Sequence, residues 1–176
     1  CQGYDRANKG KIMEQQSPPQ TQGYAEEGQF AALADRGISL DTAKKYGVKV
    51  AYDFNGNIVK HMYPYFGEED KVATKTRLTL SKGFAWSGLS GEALLFGQQL
   101  FREGGKFITL TEGECDAMAA YELMGSKWPV VSIKSGAQSA ERDVRENLEY
   151  LETFDNVVIC FDSDKHGREA ARRVAR

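Results

Sequence analysis

The chain has 176 residues, of which 41% are hydrophobic and 27% charged, with a formal net charge of -2; that is room for one domain, or two small subdomains sharing a core. No apolar run approaches the length of a membrane span and the polar start does not read as a signal peptide, so no membrane role is expected. A mildly acidic chain lacks the basic balance of a dedicated nucleic-acid binder, so any contact with nucleic acid must come from local patches.

Three cysteines, Cys1, Cys115 and Cys160, form no C-x-x-C pair, which excludes a zinc ribbon within this chain. Cys115 and Cys160 lie in apolar surroundings and read as small core residues. An odd count without a secretory signal points to reduced thiols and a cytosolic setting. A chain that opens on Cys1 reads as a fragment or a processed product.

Residues 1–23, rich in Gln, Lys, Gly and Ser around Ser17-Pro18-Pro19, lack apolar periodicity and read as a flexible linker. Gly28 to Gly37 is expected to form a short helix with Phe30, Leu33 and Ala34 on its apolar face, closed by Gly37. Ser39 is a good N-cap for a second short helix, stopped by Gly47. Arg36 between them could reach a phosphate, but reads first as part of an exposed ion pair. Val48 to Tyr65 reads as a hairpin about the Asn55-Gly56 turn, and His61, with no second ligand at metal spacing, reads as structural.

In Lys71 to Arg77 the two-residue period places Lys71, Ala73, Lys75 and Arg77 on one face, and Lys82 follows. Such a row of cations suits a phosphate-binding face, and equally a lysine-protected edge strand. Phe84, Trp86, Leu89, Leu94, Leu95 and Phe96 then form an aromatic-rich stretch, expected mostly as core, with Trp86 held back as a base-stacking candidate.

From Lys106 the rhythm becomes strand–helix–strand. Strands are expected at Phe107–Thr111, Val130–Ile133 and Val157–Phe161, with helices from Glu114, from a Ser139 cap and from Lys165. Repeated βα units predict a parallel sheet with right-handed crossovers. The first and third strands both end in carboxylates: Glu112-Gly113 with Asp116, and Asp162-Ser163-Asp164 with Gly167. Asp162 and Asp164 are two apart, so on an extended strand end both point to one side. Paired acids at the carboxyl edge of an α/β sheet suit a divalent cation, which takes one or two carboxylates plus waters and phosphates. Glu112, one strand away, is a third ligand or a general base, and the sequence leaves both open. Lys134-Ser135-Gly136 lies on the same edge and could meet a phosphate. No G-x-x-x-x-G-K-[ST] occurs, so the chain carries no phosphate loop of that kind.

Glu112-Gly113 with Asp116, followed by Asp162-x-Asp164 with Gly167, resembles the TOPRIM domain of primases, topoisomerases and some nucleases. With Arg36-Gly37-Ile38-Ser39, Glu92-Ala93-Leu94-Leu95-Phe96-Gly97 and Pro129-Val130-Val131-Ser132 added, the likeness narrows to the phage replicative primase–helicases, relatives of the mitochondrial helicase Twinkle. It runs from about residue 30 to the end. The resemblance implies an α+β N-terminal subdomain with a short antiparallel sheet over 24–105. An α/β TOPRIM domain with a mostly parallel sheet flanked by helices follows over 106–176, cut short at its C-terminus.

It further implies a DNA primase, a DNA-directed RNA polymerase making short RNA primers from ribonucleoside triphosphates on single-stranded DNA during phage replication. The implied cofactor is Mg²⁺ or Mn²⁺ on Glu112, Asp162 and Asp164, with Asp116 in support. Lys75, Arg77, Lys82 and Lys134 would be the nucleotide- and DNA-binding cations. The implied partners are helicase and zinc-binding modules of a parent protein in the cytoplasm of the infected host. The rival readings are a TOPRIM metal-dependent nuclease and a catalytically silent DNA-binding module of a replicative helicase.

Overall fold

The described residues of the computed structural model are 28–81 and 83–176. The linker expected over 1–23, Cys1 and Lys82 lie outside them. An antiparallel four-stranded sheet comes first: β1 (Lys49–Tyr52), β2 (Ile58–Phe66), β3 (Lys71–Leu78) and β4 (Phe84–Gly88), in the order β1-β2-β3-β4. The β1–β2 turn is the one expected: Asp53 Oδ1 accepts the amides of Asn55 and Asn57 at 2.9 and 2.8 Å, and Gly56 takes φ 81°. Alternation then places His61, Tyr63, Tyr65, Ala73 and Lys75 on the buried face.

A three-stranded parallel sheet follows, β5 (Ile108–Thr111), β6 (Val130–Ser132) and β7 (Val157–Cys160), in the order β6-β5-β7. Its crossovers are α2 (Glu114–Leu123) and the pair α3 (Ala140–Glu146) and α4 (Leu148–Leu151), and α5 (Lys165–Val174) follows β7. The architecture is therefore an antiparallel α+β part followed by an α/β part with a helix-flanked parallel sheet. The two faces of the parallel sheet serve two cores. Ile108, Leu110, Val131 and Ile133 pack with Ala140, Leu151 and Ala170. Val130 faces the other way and joins Ala117, Met118 and Tyr121 of α2 to Tyr63, Val50 and Phe96 of the first part.

Tyr46, the last residue of α1 (Leu40–Tyr46), is the hinge pin of this second core. It is wholly buried, stacks on Phe96 with ring centroids 5.4 Å apart, and donates its hydroxyl to the Val130 carbonyl at 2.9 Å. Gly97 is required beside it, since its φ is 83° and a Cβ there would stand 2.7 Å from the Tyr46 ring. Ser39 caps α1 as expected, accepting the Thr42 amide at 3.2 Å, and Gly47 closes it at φ 74°.

Several expectations are corrected. Residues 28–37 are not a helix: Gln29 makes an isolated bridge to Val50 and only Ala34–Arg36 forms a 3-10 turn, closed by a Leu33–Ile38 bridge. Two bridges to neighbouring segments outweigh a three-residue apolar face, and Phe30 is left exposed. β3 is interior, between β2 and β4, so its lysines do not guard an edge. Phe84 and Leu89 are exposed rather than core, because β4 is the edge strand. Ser139 makes no capping bond; its hydroxyl goes to the Gly136 carbonyl and to Asp143. Leu148 of α4 is exposed. Cys160 is exposed, because β7 is also an edge strand.

Replacing Tyr46 by Phe keeps the ring but leaves the buried Val130 carbonyl without its donor. The expected loss is about 1–2 kcal/mol of unfolding free energy, read from the urea midpoint at unchanged m-value. An unshifted midpoint would remove this bond from the account.

Candidate active site

Three loops leave the carboxyl edge of the parallel sheet at one level, because Thr111 of β5 is in register with Ser132 of β6 and Cys160 of β7. The first loop delivers Glu112 and Gly113, the second Ser135 and Gly136, the third Asp162. All of these line a cleft of about 530 Å³ whose opposite side is the inner face of the first sheet. A larger recess of about 700 Å³, bordered by Gln98, Arg102 and Asn147, lies away from these loops and none of the edge carboxylates lines it.

One wall of the cleft is acidic. Glu112 accepts long bonds on both oxygens, from the Ala137 amide at 3.3 Å and the Asp162 amide at 3.4 Å, so it is held between the second and third loops. Asp116 lies one turn into α2. Burial, then the charges of Asp162, Glu112 and Glu114, push its carboxyl above the usual aspartate range, against the opposing pull of Arg36. Gly167 fixes the third loop: a Cβ there would collide with the Asp162 backbone, so only glycine lets α5 start this close to Asp162.

The facing wall carries Arg36, Lys75 and Arg77 with the rings of Phe84 and Trp86. These cations are not equivalent. Lys75 is buried and committed: Nζ donates at 2.7 Å to Glu114 Oε1 and at 2.7 Å to the Lys134 carbonyl, and lies 4.7 Å from the Phe84 centroid. Tyr65 donates to the same Glu114 oxygen at 2.7 Å. Arg77 has no carboxylate partner among the described residues, and its buried Nε lacks an acceptor. Its guanidinium sits 5.6 Å from the Phe84 centroid. Arg36 has only a loose pair, 4.0 Å to Asp35.

The structure thus gathers Glu112, Asp162, Asp116, Lys75 and Arg77 from the expected set. Asp164 takes another post. Strand pairing ends at Cys160 and the chain bends at Ser163 and Asp164 before α5 begins, so the two acids do not sit on one straight strand end. Asp164 instead caps α5, with Oδ1 accepting the Gly167 amide at 2.8 Å. Lys134 also turns away: its ammonium binds the Ala93 carbonyl and Glu146, each at 2.8 Å, and holds the Glu146 carboxyl below its ordinary range. Only the next two residues, Ser135 and Gly136, reach the cleft. Sequence reasoning missed Glu114 and Phe84 and set Arg36 aside. Glu114 carried a signal, since a carboxylate at a helix start two residues from a strand-end acid falls beside the same edge.

The acidic wall fits a divalent cation. Asp162 and Glu112 add to the cost that burial puts on ionising Asp116, and hard oxygen donors are what magnesium selects. Among the described residues no three such side chains are gathered to hold a single ion.

Asp116 binds a proton more readily in the fold than in the unfolded chain, so its ionised form at neutral pH opposes folding. Asp116→Asn is expected to raise Tm at pH 7, with the gain vanishing as the pH falls through the raised pKa toward 3.8. Mg²⁺ should raise the Tm of the parent and not that of Asp162→Asn. Differential scanning fluorimetry checks both; a lower Tm for Asp116→Asn at pH 7 would contradict the repulsion described.

Residues 109–176 match the Toprim-like family model. The chain is 33% identical over 151 residues to the DNA helicase/primase of Enterobacteria phage T3, an alignment covering 84% of this chain and 26% of that protein. Its fold superposes on the primase fragment of the bacteriophage T7 primase-helicase with TM-score 0.75 and 36% identity, over 84% of this chain and 61% of that one. It also superposes on a chain of the T7 lagging-strand DNA polymerase complex with primase domains bound to an RNA/DNA hybrid and dTTP. There the TM-score is 0.74 and the identity 35%, over 85% of this chain and 74% of that one. The DnaG primase catalytic domain shares the fold alone, at 15% identity and TM-score 0.52. The chain therefore spans about a quarter of the T3 protein and 61% and 74% of the two T7 chains, and it belongs to the Toprim primase family of the phage primase–helicases.

Proposed function

We propose that this chain is the RNA-polymerising core of a phage DNA primase, joining ribonucleoside triphosphates on a single-stranded DNA template. The carrying observation is one cleft in which Glu112 and Asp162 face Arg36 and Arg77. An acidic wall alone would suit a cation and a basic wall alone a phosphate. The two face to face suit a nucleoside triphosphate with its divalent cation.

Mg²⁺ or Mn²⁺, held by Glu112 and Asp162, would supply Lewis-acid stabilisation of the charge that develops on the phosphates. Arg77 and Arg36 bind the triphosphate from the other side, and Ser135 and Gly136 offer backbone at the cleft floor. Lys75 keeps Glu114 and the first turn of α2 in place. In the reaction the primer 3′-oxygen bonds to the α-phosphorus, the bond from that phosphorus to pyrophosphate breaks, and the hydroxyl proton leaves to Glu112 or to water. Trp86 and Phe84 offer ring faces to bases. Of the two subdomains expected over 24–105 and 106–176, the described residues of the first bear the cationic wall and those of the second the acids. Helicase and zinc-binding modules act beside this core in the cytoplasm of the infected host. Among the described residues no helix is long and apolar enough to cross a membrane.

The test is primer synthesis by the full-length protein, with labelled ribonucleotides, labelled single-stranded DNA and Mg²⁺ or Mn²⁺. Asp162→Asn is expected to lose product by about 100-fold or more with its Tm retained. Normal priming by that variant would sink the metal assignment. Shortened DNA in place of primers would make the protein a nuclease.

A further inference from the structure

A buried chain of hydrogen bonds runs behind the cleft. His61 on β2 is wholly buried, with Nε2 3.0 Å from Asp35 Oδ1 and Nδ1 3.1 Å from the Tyr63 hydroxyl. The Tyr63 oxygen is in turn 3.3 Å from Cys115 Sγ. Both ends of this relay abut cleft residues. Asp35 precedes Arg36 in the 3-10 turn, and its other oxygen is the one 4.0 Å from Arg36 Nε. Cys115 lies between Glu114 and Asp116 in the first turn of α2, and lines the cleft itself.

The partners fix the direction of each bond. An ionised Asp35 only accepts, so His61 Nε2 carries the hydrogen. The neutral ring then accepts at Nδ1, which makes Tyr63 the donor there and its oxygen the acceptor for the Cys115 thiol. The surroundings keep the ring neutral. Burial lowers the His61 pKa below 6.5, and the cations of Arg77 and Arg36 push the same way against Asp35. Arg77 faces His61 directly across β2 and β3. Burial also holds the Tyr63 phenol and the Cys115 thiol in their protonated, donating forms.

We propose that His61 is a positioning residue for triphosphate binding: through Asp35 it fixes Arg36, and through Tyr63 and Cys115 it fixes the first turn of α2. The cationic and acidic walls then keep a set separation around a nucleoside triphosphate. The identity of that ligand rests on the function proposed above. The 3-10 turn needs such an anchor, because it is three residues long and Leu33 before it makes no side-chain cap.

The test uses the full-length protein with ATP and Mg²⁺, measuring binding by calorimetry beside primer-synthesis kinetics. His61→Phe fills the site but makes neither bond. It is expected to raise the KM for ATP and weaken ATP binding by about tenfold while kcat changes less than about twofold. His61→Gln, which can still donate to Asp35, should recover most of that affinity. Arg36→Ala should weaken binding to a similar extent, and His61→Phe added to it should cost nothing more. If His61→Phe does not fold, Asp35→Asn, at a half-exposed position, replaces it with the same expected coupling to Arg36→Ala. The relay is overturned if kcat falls at unchanged KM, or if the His61 or Asp35 effect multiplies with that of Arg36→Ala. ATP bound with the expected coupling but no primers made would overturn the primase reading and leave the relay standing.

Discussion

The buried pair of Lys75 and Glu114 is the contact on which the cleft depends. Lys75 comes from the middle of the antiparallel sheet, Glu114 from the first turn of α2, and the Lys134 carbonyl that Lys75 also binds lies at the start of the loop after β6. One ammonium thus joins the first sheet to two of the three loops that build the site. Both side chains are more than nine-tenths buried, so neither is solvated, and each depends on the other for its charge to be tolerated. Tyr65 completes the set by donating to Glu114. The pair holds the two sheets in one relation more than it adds to their stability, since a buried ion pair gives back in Coulomb energy little more than its desolvation takes.

That commitment divides the basic residues of the region by task. Lys75 and Lys134 hold the frame, each bound to a carboxylate and to a carbonyl. Arg77 and Arg36 line the cleft with the acids and have no strong partner among the described residues. The acids divide in the same way: Glu114 is paired, Asp164 caps α5, and Glu112 and Asp162 crowd Asp116 at the cleft. A site of this kind is unbalanced on both walls until a ligand with both signs of charge enters. A triphosphate accompanied by a divalent cation has that pattern.

Much of this was legible in the chain. Asn55-Gly56, the Ser39 cap, Gly47 and the three βα units depend on neighbours close in sequence, and each lies within a residue or two of its expected place. The strand-end acids were legible for the same reason, because a parallel strand delivers its next residues to one edge wherever the sheet stands. What failed depends on contacts far apart in the chain. Nothing local says that Lys75 meets Glu114 thirty-nine residues on rather than a phosphate, or that Lys134 turns toward Ala93 and Glu146. Asp164 departs for a local reason instead: the Asp-x-Asp pattern assumes a straight strand end, and the chain bends at Ser163 and Asp164 to start α5. The motif's glycine gave its purpose only in three dimensions, where Gly167 lies against the Asp162 backbone.

The most direct measurement of the central claim is a double-mutant cycle on the buried pair by urea unfolding, with Lys75→Met and Glu114→Gln alone and together. Each single change should cost about 3–5 kcal/mol, since it leaves one buried charge unpaired, and the double variant should recover a large part of that loss. Single variants that each cost under about 1 kcal/mol, the value of an exposed pair, with additive effects, would contradict the account.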